Sequence, residues 1–119
     1  MRSAFILAKY PRFFSSLIDE LRHAGFQVVT AEQSAMIPIG DDRAIFYDRN
    51  LEPSHFERYE LPNQAAEIGF QYGFLVECRN EQWFCEMIRS VGNTLDIMVC
   101  DSDGNLFFPS TIRADSLVL

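Results

Sequence analysis

The chain has 119 residues, 48% of them hydrophobic, and 17 Asp plus Glu against 10 Lys plus Arg give a formal net charge of −7. That apolar content excludes a disordered chain, and a chain of this length can bury about two thirds of its unfolded surface in one domain spanning residues 1–119. The surplus acids must then lie mostly on the surface, where they favour basic partners and disfavour nucleic acid and anionic membranes.

Ala4 to Ala8 form a short apolar run that reads as a first buried strand. The run is too short for a signal-peptide core or a membrane span, so the expected location is the cytoplasm. Cys78, Cys85 and Cys100 fit that location. They are odd in number and have no paired spacing, which reads as reduced core cysteine rather than a disulfide framework. Pro11 suits a first helical turn, and Phe13, Phe14, Leu17, Ile18 and Leu21 recur at helical spacing, predicting a helix over 11–24 closed by Gly25.

Phe26 to Thr30 reads as a strand. Ala35 to Ile39 and Arg43 to Tyr47 flank Gly40-Asp41-Asp42 as a hairpin with an acidic turn. Residues 48–63 are polar and irregular, with a short helical turn around Ser54 to Tyr59 and another after Pro62 through Ala65, Ala66 and Ile68. Gly73 to Cys78 reads as a strand. Asn80 caps a second helix whose stripe is Trp83, Phe84, Met87, Ile88 and Val91, closed by Gly92. Thr94 to Cys100 and Leu106 to Phe108 are strands about a turn at 101–105, and Ser116 to Leu119 a short edge strand. Two amphipathic helices against a mostly antiparallel sheet make an α+β two-layer sandwich, with a ferredoxin-like arrangement as its candidate topology.

Few residue patterns in the chain carry chemistry. Asp101-Ser102-Asp103-Gly104-Asn105 invites a calcium reading, but glycine stands fourth and Ile112 twelfth, against the sixth-place glycine and twelfth-place glutamate of an EF-hand loop, so a hairpin turn is expected. His23 and His55 are the candidate bases for a thiol nucleophile, yet nothing in their spacing brings either to a cysteine. The paired acids Asp19/Glu20 and Asp41/Asp42 read as solvated surface. Zinc-type ligand spacing, glycine-rich phosphate loops and a serine-hydrolase elbow are all missing from the sequence. The expectation is a binding protein without catalytic residues, metal or cofactor. Between Asp48 and Glu60, acids interleave with Arg49, His55, Phe56, Arg58 and Tyr59, a mixture that suits a protein-docking face. The candidate partner-binding residues are Asp41, Asp42, Asp48, Glu52, Glu57, Tyr59 and Glu60.

The segment Gly73-Phe74-Leu75-Val76-Glu77-Cys78, the helix carrying Trp83-Phe84, and the run from Asp96 to Phe107 together resemble the C-terminal half of small bacterial immunity proteins. That resemblance implies a partner: the cognate toxin domain of a polymorphic or contact-dependent growth inhibition system, often a nuclease. It supplies no site residues. The competing expectations are a small-molecule-binding or regulatory domain, and an enzyme that places His23 or His55 in a cleft beside a thiol or carboxylate.

Overall fold

The computed structural model describes residues 2–11, 13–49, 61–92 and 94–119. In chain order these form β1 (Ser3–Ala8), α1 (Phe13–His23), β2 (Val29–Thr30), β3 (Ser34–Ile39), β4 (Asp42–Tyr47), α2 (Asn63–Glu67), β5 (Tyr72–Glu77), α3 (Glu81–Val91), β6 (Ile97–Cys100) and β7 (Leu106–Phe107). One sheet takes the order β2-β3-β4-β5-β1-β6-β7, and every adjacent pair is antiparallel. The fold is the expected α+β sandwich. Its four middle strands, β4-β5-β1-β6, have the ferredoxin-like order: β1 and β4 run the same way with β5 between them, as do β5 and β6 with β1 between them.

Strand alternation divides the apolar residues between two faces. Ala4, Ile6, Phe46, Phe74, Val76, Ile97 and Val99 meet the buried stripes of α1 and α3. Phe74 is the hub of this layer. Its ring lies 6.2 Å from Phe13, 5.3 Å from Phe14 and 6.4 Å from Phe46, in stacked and edge arrangements that add to simple burial. On the other face, Leu7, Met98 and Cys100 are covered by Leu61, Ala65 and Phe70, from the segment that contains α2.

The helix ends follow from local chemistry. At the start of α3, the Asn80 side chain accepts a hydrogen bond from the Trp83 N–H at 2.9 Å. Beyond α1, Gly25 takes a φ of 96°, the Gly25 N–H donates to the Arg22 carbonyl, and the Phe26 N–H donates to the Leu21 carbonyl. This Schellman closure folds Phe26 back onto the core, where its ring meets Trp83 at 5.9 Å.

Four expectations need correction. The first helix starts at Phe13, which leaves Pro11 outside it. Of Phe26 to Thr30 only Val29 and Thr30 are strand, because the closure after Gly25 turns the preceding residues toward the core. The strand beginning at Thr94 starts at Ile97, since the Thr94 and Leu95 N–H groups are spent on the Val91 carbonyl at the end of α3. Ser116 to Leu119 form no strand. Instead, Val118 is fastened to the β6–β7 turn: its N–H donates to Asp101, and its carbonyl accepts from the Ser102 N–H and hydroxyl.

Candidate functional site

The β3–β4 connection is a two-residue loop, Gly40-Asp41, with Ile39 paired to Asp42 and Gly40 at a φ of 58°. Asp41 and Asp42 are both exposed at this hairpin tip, and Asp42 accepts the Arg43 N–H at 2.8 Å. Asp48 is exposed just past the other end of β4, its N–H donating to the Gln33 carbonyl. Six residue-to-residue steps of extended chain separate Asp42 from Asp48, about 20 Å. The structure therefore does not gather these three acids into one cluster. Glu52, Glu57, Tyr59 and Glu60, and the helical turn expected around Ser54 to Tyr59, lie outside the described residues.

Two hollows lie along β4, one toward each end. Near Asp48, a cleft of about 750 Å³ is lined among the described residues by Phe5, Gln33, Ser34, Tyr47, Asp48, Arg49, Leu75 and Glu77. Nearer the hairpin tip, a hollow of about 300 Å³ is lined by Arg2, Asp42, Arg43, Ile45, Glu77, Cys78 and Arg79. Glu77 borders both. Sheet register explains the grouping: Ser34 pairs with Tyr47, Ile45 with Glu77 and Phe5 with Leu75, all on the face opposite α1 and α3. The Tyr47 hydroxyl is pushed above its usual pKa by burial, and then by the neighbouring Glu77 carboxylate.

No protein-family model, curated protein or solved structure matches this chain.

This surface departs from the expected acidic face in one respect: Arg2, Arg43 and Arg79 sit among the acids at its hairpin end, with Arg2 paired to Glu81 at 2.9 Å. Sequence reasoning also missed Glu77, Ser34 and Tyr47. The alternation of β5 does put Glu77 on the Leu75 face, but Tyr47 and Ser34 reach it only through pairings between strands distant in sequence.

The thiol–imidazole arrangement is absent among the described residues. Cys78, Cys85 and Cys100 are all buried, whereas His23 is exposed at the end of α1; His55 lies outside the described residues. Burial raises all three thiol pKa values, Cys100 to about 11 with a contribution from Asp101, which opposes the thiolate a nucleophile needs. The segment 101–105 is the expected turn. The Asp101 carboxylate accepts from the N–H groups of Asp103, Asn105 and Val118 and from the Asn105 side chain. Its lone pairs are spent on the chain itself.

Proposed function

We propose that this protein is an immunity-type inhibitor that binds and neutralises a basic toxin domain, using the surface between the β3–β4 hairpin tip and Asp48. The observation that carries this reading is the form of that surface. Two hollows adjoin at Glu77 along β4, lined by Phe5, Ile45 and Leu75 and by carboxylates toward both ends, with Arg2, Arg43 and Arg79 among the acids at the hairpin end. Apolar groups mixed with charged ones suit a protein partner, and the net charge of −7 speeds the approach of a basic one.

The test is co-expression with the toxin domain encoded beside it. A stoichiometric complex and restored growth are expected. Asp41→Lys with Asp42→Lys is expected to weaken binding at least tenfold, by adding like charge against a basic surface, while the melting temperature stays near that of the parent. Absence of a complex would overturn the reading, and a large fall in melting temperature would mean that these acids are structural. A second reading, small-molecule binding, is favoured by the cleft volume of about 750 Å³, which lies in the range of ligand pockets. It expects a metabolite to raise the melting temperature in the absence of any protein partner.

A further inference from the structure

We infer that the cleft beside Asp48 receives an arginine side chain of the protein partner, its guanidinium on the Glu77 carboxylate and its aliphatic stem along Leu75. The inference rests on the inhibitor reading and specifies what that inhibitor grips. Three features of the cleft point to this occupant.

The first is charge. Among the described residues of the lining, the charged groups are Asp48, Glu77 and Arg49, two carboxylates to one guanidinium, a balance that an added cation suits. An anion would meet that balance unfavourably, and a neutral group would leave it unmatched.

The second is hydrogen-bonding character. Tyr47 lines the cleft beside Glu77, whose carboxylate has acceptor capacity for several donors. Ser34 and Gln33 add side-chain oxygens to the same wall. A planar fork of five donors uses several such acceptors at once, and a lysine ammonium matches them less well. Leu75 supplies apolar surface against which an arginine stem packs.

The third is continuity. Glu77 also borders the hollow at the hairpin end, so the two hollows adjoin along β4. A protein that projects the side chain uses both hollows; a free small cation fills only the cleft.

The experiment is an amide-resolved NMR titration of the full chain with the capped peptide acetyl-Gly-Arg-Gly-amide. The controls are acetyl-Gly-Leu-Gly-amide and agmatine. Saturable shifts at Ser34, Tyr47, Leu75 and Glu77 are expected with the arginine peptide at about 1–10 mM, as suits one isolated side chain, and none with the leucine peptide. Glu77→Gln keeps the shape and removes the charge. It is expected to weaken the peptide at least tenfold, and the toxin complex likewise, with an unchanged melting temperature.

Shifts spread over the acidic surface without saturation at the cleft would overturn the inference. So would equal binding by Glu77→Gln, or agmatine binding a hundredfold tighter than the peptide. A toxin complex of parental affinity in Glu77→Gln would overturn it while leaving the inhibitor reading standing. Saturation of the cleft by the peptide with no toxin complex would overturn the inhibitor reading, and with it the assignment of the arginine to a protein.

Discussion

Asp101 is the buried charged residue among those described, only 2% exposed, and its four hydrogen bonds are its compensation for leaving water. Asp101→Asn keeps the shape and exchanges one oxygen for an NH2 group, which then faces donors. The expected cost is about 1–3 kcal/mol, read as a lower urea midpoint at unchanged slope. An unaltered midpoint would show that the turn holds without the carboxylate. The cysteines make a second prediction at this scale. The ordinary thiol value is 9.0 and that of folded Cys100 about 11, so in this window the native state keeps a proton that the unfolded chain releases. The stabilisation is complete below about pH 9 and is lost as pH rises through 11; the raised values of Cys78, Cys85 and Tyr47 act in the same direction. Melting temperature should therefore fall over this range, and Cys100→Ala should flatten the slope. The same slope in Cys100→Ala would assign the loss to other groups.

At the scale of elements, β5 lies so close to β1 that Gly73 has no room for a side chain: a Cβ there would collide with the Ile6 carbonyl oxygen and touch Leu7 Cδ2 at 3.0 Å. Gly73→Ala should cost about 1–3 kcal/mol, measured by urea denaturation, because backbone rather than a flexible side chain must give way. A cost near zero would mean that the two strands can part freely. This glycine was readable from sequence only as the start of a strand; the close neighbour that explains it comes from the other end of the chain. Local features were legible. The stripe and Asn80 cap of α3 were both visible, since they depend on residues within one or two turns. The closure of α2 was equally local and was missed. Gly69-Phe70 follows Ala65-Ala66 as Gly25-Phe26 follows Leu21-Arg22, with the same pair of hydrogen bonds and φ of 99° at Gly69, so the pattern read at the first site was available at the second. Of the candidate site, the exposed acids of the hairpin could be read from Gly40-Asp41-Asp42. The cleft could not, because strand register across β3, β4, β5 and β1 is a non-local property.

For the whole molecule, a net charge of −7 should set the rate at which a basic partner arrives. The association rate constant is expected to fall about tenfold or more between low and high ionic strength, while the dissociation rate changes far less, as stopped-flow mixing over a salt series would show. An association rate indifferent to salt would remove electrostatic steering from the mechanism. The described part of the sheet ends in β2 and β7, two residues each, and β3 carries Pro38 beside the short β2. Such edges offer little to a strand from another molecule. The middle of the sheet has a different consequence. Strand β1 leaves the ribosome well before its two neighbours, residues 72–77 and 97–100. The nascent chain must therefore carry an apolar segment with both sides unpaired until residues 72–77 have been made, so the window for aggregation or chaperone capture is set by the speed of translation.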